Sequence, residues 1–274
     1  MTFNDKLNKI IGKNNSLLCI GLDTDIKKIP QHLLAQEDPI FTFNKAIIDS
    51  TFDLVCAYKP NMAFYEAMGI DGLKSLKKTI KYLADKYPQI PTICDGKRGD
   101  IGSTSEKYAK STFEYYGFDS ITVNPYLGTD GIEPFLKYSD KGIIILCRTS
   151  NPGSVDFQDL NVKGKKLYQK VAEKIIQWDK SYHNCLMVIG ATWPEELKQI
   201  RKMTSGMFFL VPGIGAQGGD TQKIMEYGLN NKKSGLIINV SRAIIYASKE
   251  KDFEKTVREK ALEFNRKINK YRNG

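Results

Sequence analysis

The sequence predicts an α/β fold of the (β/α)8 TIM-barrel class, one domain over residues 1–274. Three observations predict it. Eight short apolar runs recur along the chain, helix-competent segments lie between them, and polar residues collect where the runs end. Continuous apolar runs of strand length suit parallel strands covered on both faces, and strand then helix repeated eight times is the barrel pattern. The length of 274 residues agrees, since a barrel takes roughly 250 as a single unit.

The start, MTFNDKLNKIIGKNNS, reads as a polar helix ahead of the first strand. It lacks the apolar centre of a signal peptide, and no later run approaches the ~20 residues of a membrane span, so a cytoplasmic chain is expected. The strands follow as SLLCIGLD (16–23), LVCAYKPN (54–61), PTICDGKR (91–98), SITVNPY (120–126), GIIILCRT (142–149), CLMVIGAT (185–192), FFLVPGIG (208–215) and GLIINVSR (235–242). Residues 70–86, 103–116, 163–180 and 194–203 read as helices among the outer layer. A last helix over 251–271 closes the barrel, with an apolar stripe of Phe253, Val257, Leu262, Phe264 and Ile268. An open doubly wound sheet is the structural rival, but eight parallel strands at this spacing fit closure better. No linker, low-complexity segment or second domain is visible.

The formal charge is +10, from 41 Lys and Arg against 31 Asp and Glu. The basic residues are spread along helices among acidic ones, so they read as a solvated surface and no nucleic-acid partner is expected. A modest positive field would still help gather an anionic substrate. Cys19, Cys56, Cys94, Cys147 and Cys185 form no C-x-x-C pair and each falls in its own apolar run, the pattern of reduced core thiols. Only His32 and His183 exist, neither at a strand's carboxyl end, which leaves no His-dependent triad or three-His metal site. Proton transfer then falls to Lys or a carboxylate.

The stretch PTICDGKRGDIGST (91–104) carries the densest chemistry. Asp95 and Lys97 lie two apart and share a strand face, while Gly96 and Gly99 loosen the backbone and send Asp100 elsewhere. Active sites of such barrels lie at the carboxyl ends of the strands, and the polar residues gather there: Asp23, Lys59 and Asn61, Asn124, Arg148 to Ser150, Gln217, and Ser241 with Arg242. The G-x-G-x-x-G match at Gly213, Gly215 and Gly218 follows the seventh strand and lacks the acid a ribose would need, so it is no dinucleotide fingerprint. The loops after strands 7 and 8 are instead the common phosphate site of these barrels, with amides from 215–219 and the forked cation of Arg242. The substrate is expected to carry a phosphate.

With these residues assembled, the chain resembles the orotidine 5'-phosphate decarboxylase family in its longer bacterial form, from about residue 16 to 246. The carriers are Asp95-x-Lys97-x-x-Asp100-Ile101-x-x-Thr104, with Asp23 in GLD, Lys59 in YKPN, Ser150 in TSNPG, Gln217 in GIGAQGGD and Arg242 in NVSR. The resemblance implies decarboxylation of orotidine 5'-phosphate to uridine 5'-phosphate without metal or organic cofactor, in a homodimer. It implies that Lys59, Asp95, Lys97 and Asp100 form an alternating network of charges, with Asp100 donated by the partner subunit. Gln217 and Arg242 would take the phosphate; Asp23, Lys59 and Thr104 of the partner subunit the ribose; Ser150 and Gln217 the pyrimidine. Pro212 and Ile101 of the partner subunit would wall the departing carboxylate.

Three alternatives stay open at the level of sequence. A related sugar-phosphate decarboxylase or epimerase could share the D-x-K-x-x-D frame, though a magnesium-dependent one would want a carboxylate where Lys59 stands. A Schiff-base aldolase could use Lys97 or Lys59, and a basic barrel could bind nucleic acid without catalysis.

Overall fold

The structure is a computed structural model that describes residues 1–204, 206–214 and 220–273. Eight strands run in chain order as β1 (Leu18–Leu22), β2 (Ala57–Pro60), β3 (Ile93–Arg98), β4 (Ser120–Val123), β5 (Gly142–Arg148), β6 (Cys185–Ile189), β7 (Phe209–Pro212) and β8 (Leu236–Val240). All join one parallel sheet in the order β2-β1-β8-β7-β6-β5-β4-β3. Parallel bridges Tyr58↔Thr92 and Asn61↔Asp95 bring β2 round to β3, and the Tyr58 N–H donates to Pro91 O at 3.1 Å. The predicted TIM barrel is what forms.

Each apolar run becomes a strand because parallel strands here are covered on both faces. Every residue of β1, β2, β4, β6 and β8 is buried, whereas β3 is buried only through Asp95 and then emerges at the barrel mouth. The N-terminal helix Phe3–Asn14, capped reciprocally by Thr2 and Asp5, buries Phe3, Leu7, Ile10 and Ile11 across the opposite end. Gly142 has to be small there, since a Cβ would stand 2.5 Å from the Phe3 ring. All five cysteines are buried and free, and burial raises the Cys19, Cys94 and Cys147 thiols to about 12.

Three helix expectations need correction. The segment read as a helix from 163 first makes a small antiparallel hairpin, Asn161–Val162 with Lys165–Lys166, and the helix runs Leu167–Tyr182. Lys163 and Gly164 both have positive φ, 53° and 80°, the two-residue turn that matches strand twist and forbids a helix start. The helix after β3 runs Gly102–Lys110 and then widens to a π-type turn over Ser111–Tyr116. In the closing helix Phe253–Asn273, the buried row is Phe253, Val257, Ala261, Asn265 and Ile268, with Leu262 and Phe264 only flanking the core. A spacing of four residues, not the larger side chains, sets that face.

Candidate active site

At the mouth, β2 and β3 set three charges in a row. Lys59 Nζ donates to Asp95 Oδ2 at 2.7 Å, and Lys97 Nζ donates to Asp95 Oδ1 at 2.5 Å. Lys59 is 3% exposed and Asp95 9%, while Lys97 reaches outward with half its side chain accessible. Burial alone would raise the Asp95 carboxyl, yet the neighbouring Lys59 and Lys97 ammonium groups hold it well below the usual carboxylate range. Burial would likewise lower the Lys59 ammonium, but Asp95 and Asp23 keep it above its ordinary value. The site therefore maintains a carboxylate between two ammonium groups.

The Asp95–Lys97 contact expected from strand alternation is present, but a different backbone makes it. Lys97 has φ of +45°, and the β3–β4 register shifts between Cys94 and Arg98. A left-handed non-glycine residue costs about 1–3 kcal/mol and needs its surroundings to hold it. Here the Lys97 N–H donates to Thr122 Oγ1 at 3.0 Å, and that hydroxyl donates to Asp95 Oδ1 at 3.1 Å. The freedom expected of Gly96 and Gly99 falls on Lys97 and on Gly102, φ +47°.

One cavity is lined by Asp23, Lys59, Asn61, Asp95, Ser150, Pro212, Ser241 and Arg242, all singled out in the sequence. Asp23 directly follows β1; its backbone oxygen accepts from the Tyr246 hydroxyl at 2.9 Å, and the same hydroxyl accepts from Asp25 N–H at 2.7 Å. Ser150 follows β5, closely packed on Gly190, where a Cβ would lie 2.6 Å from the Ser150 Cα. Arg242 opens the short helix Arg242–Ile245 and is exposed. Buried oxygens of Asp23 and Asn239, both lining the cavity, lack a hydrogen-bond partner within the described residues, as befits groups aimed at a ligand.

Other predicted residues lie elsewhere. Gln217 and the 215–219 amides fall outside the described residues. Asp100 makes no ion pair within the described residues of this chain; its Oδ1 accepts from the Ile101 N–H at 2.8 Å. Ile101 is 59% exposed and Thr104 is exposed on the helix that follows, so none of these three lines the cavity of its own chain. Arg148 is a correction: it is fully buried, bonds Asp159 at 3.1 Å and stacks 3.9 Å from the Trp193 ring, fastening the loop behind Ser150. Asn61 is the exception: it lines the cavity beside Asp95 and also caps the turn after β2 by accepting from the Ala63 N–H, whereas Asn124, outside the cavity, accepts from the Tyr126 N–H after β4. His32 and His183 are both exposed, and His183 ends the helix before β6. Sequence reading missed Thr122, Asn239 and Tyr246; a threonine inside SITV looks like an ordinary strand former.

Among the described residues no cluster of three or more His, Cys, Asp or Glu side chains is arranged to hold a metal, and no helix is long and apolar enough to cross a membrane.

The profile of the orotidine 5'-phosphate decarboxylase / HUMPS family matches residues 16–255. The chain belongs to this family. An orotidine 5'-phosphate decarboxylase of Flavobacterium johnsoniae is 54% identical over 257 residues, covering 94% of this chain and 93% of the relative. One of Cellvibrio japonicus is 51% identical over 271 residues, covering 98% of each. The solved OMP decarboxylase of Leishmania donovani superposes with a TM-score of 0.87 at 37% identity, and the match covers both chains in full. The matched range, residues 16–255, runs from before β1 to past β8.

Proposed function

We propose that the chain decarboxylates orotidine 5'-phosphate to uridine 5'-phosphate, the last step of de novo UMP synthesis. The observation that carries this reading is the alternating Lys59–Asp95–Lys97 row at the rim of a cavity that also holds Asp23, Ser150 and Arg242. Loss of carbon dioxide from C6 leaves a carbanion in the plane of the pyrimidine ring, which the π system delocalises poorly. An ammonium fixed at C6 stabilises that charge electrostatically and then delivers the proton. Lys97 is that ammonium, and Asp95 holds it while Lys59 neutralises the other carboxylate oxygen. The barrier reduction belongs toward the upper end of the ~8–23 kcal/mol that enzymes provide.

Arg242, with Gln217, takes the phosphate; Asp23 and Lys59 take ribose hydroxyls; Ser150 and Gln217 meet the pyrimidine; Pro212 walls the leaving carboxylate. Phosphate binding far from C6 contributes by ordering the site. The unit is a homodimer in which Asp100, Ile101 and Thr104 of the partner subunit complete each site. The lack of an ion pair for Asp100 within its own chain supports this, as do Ile101, Tyr126 and Leu127, exposed on neighbouring loops by 59%, 84% and 47%. One domain carries the whole reaction, no nucleic acid takes part, and five free buried thiols suit the reducing cytoplasm.

No metal or organic cofactor enters this reading, because the cation at the reacting carbon is Lys97 and β2 ends in Lys59, where a magnesium-dependent relative would want a carboxylate. After exhaustive dialysis against EDTA, the purified chain is expected to convert orotidine 5'-phosphate at its undialysed rate, followed by the ultraviolet change. Loss of activity with chelator and recovery with magnesium would contradict this.

A further inference from the structure

We infer that the Thr122 hydroxyl is the positioning group for the Asp95–Lys97 pair and so sets where the Lys97 ammonium stands at the reacting carbon. This rests on the decarboxylase reading above. Thr122 lies in β4 and is 1% exposed. Its Oγ1 donates to Asp95 Oδ1 at 3.1 Å and accepts from the Lys97 backbone N–H at 3.0 Å. A hydroxyl has one proton and two lone pairs, so it fills both roles at once.

The result is a grip on Lys97 at two points. The backbone is held directly, and the ammonium is held through Asp95 Oδ1, which Lys97 Nζ also meets at 2.5 Å. Two flexible lysines alone would leave the Asp95 carboxylate free to turn about its side chain, whereas a third bond from a rigid strand fixes its plane. The backbone grip is needed because Lys97 stands at φ +45°, where the register of β3 against β4 breaks between Cys94 and Arg98. An unpaired N–H at that point would favour relaxation to ordinary strand geometry and carry the side chain with it. Thr122 is buried and both bonds of its hydroxyl go to Asp95 and Lys97, so its contribution falls on the chemical step more than on substrate affinity.

The test compares Thr122→Val, which keeps the β-branched shape and removes the hydroxyl, with Thr122→Ser, which keeps the hydroxyl. For Thr122→Val, kcat is expected to fall about 10- to 100-fold, while KM for orotidine 5'-phosphate and Kd for uridine 5'-phosphate stay within about threefold. Thr122→Ser should return kcat to within about threefold of wild type. Exchange of the C6 hydrogen of bound uridine 5'-phosphate in D2O, which reads the same proton transfer without decarboxylation, should slow in step with kcat in Thr122→Val. A Thr122→Val enzyme with kcat within threefold of wild type overturns the inference. So does loss of cooperative unfolding in both Thr122→Val and Thr122→Ala, since the hydroxyl would then be holding the strand and not the lysine. Absence of wild-type turnover defeats the decarboxylase reading and this inference with it; wild-type turnover with an unaffected Thr122→Val defeats this inference alone.

Discussion

Lys97→Ala is expected to lower kcat for orotidine 5'-phosphate by at least about 10^4-fold while the barrel folds and still binds uridine 5'-phosphate. General acid catalysis contributes about 10^2–10^4-fold, and one well-placed electrostatic group about 10^2–10^3-fold. A single ammonium doing both should cost at least the upper figure when removed. The fold should survive because Lys97 is half exposed and Asp95 keeps its buried partner, Lys59, at 2.7 Å. Lys59→Ala is the less informative variant: stripping a buried carboxylate of its buried partner costs about 3–5 kcal/mol and mixes unfolding with chemistry. Arg242→Ala provides the contrast, raising KM and weakening uridine 5'-phosphate binding more than it lowers kcat, since it loses a phosphate grip remote from C6. Steady-state kinetics with calorimetric titration of the product separates the two effects. Near-normal kcat in Lys97→Ala would mean that another group delivers the proton.

The second large effect is a recovery. Lys97→Ala and Asp100→Ala homodimers should each be nearly inactive, because every site lacks one charge. In a hybrid of the two, one site carries both defects, and the other combines an intact Lys97 with an intact Asp100 from across the interface. With random exchange roughly half the dimers are hybrids with one good site of two, so activity should return to about a quarter of wild type. Mass spectrometry of the mixture establishes that subunits have exchanged. Demonstrated hybrids as inactive as their parents would mean that Asp100 does not act across the dimer.

The barrel was legible in the sequence because burial on both faces turns each parallel strand into an apolar run, and no other common architecture repeats that run eight times with helices between. Strand-end charges were legible for a related reason: Asp23, Lys59 and Asp95 interrupt apolar runs at the same end, where nothing structural calls for a charge. Arg148 obeyed the same rule and misled, because a planar guanidinium can be buried against an aromatic face, as it is over Trp193. The hairpin at 161–166 was hidden because its turn depends on Lys163 taking positive φ, a conformation that lysine does not advertise. Thr122 was hidden for a deeper reason. Its role comes from the register shift between β3 and β4, a tertiary event that leaves no local pattern in DGKRGD or SITV.

The most direct test of the account is to incubate the purified wild-type chain with orotidine 5'-phosphate in D2O and analyse the products by NMR and by trapped carbon dioxide. The expected result is one carbon dioxide released for each uridine 5'-phosphate formed, with deuterium at C6 of the pyrimidine, where the Lys97 ammonium delivers it. Recovery of unchanged orotidine 5'-phosphate from folded, substrate-saturated protein would contradict the account at its centre.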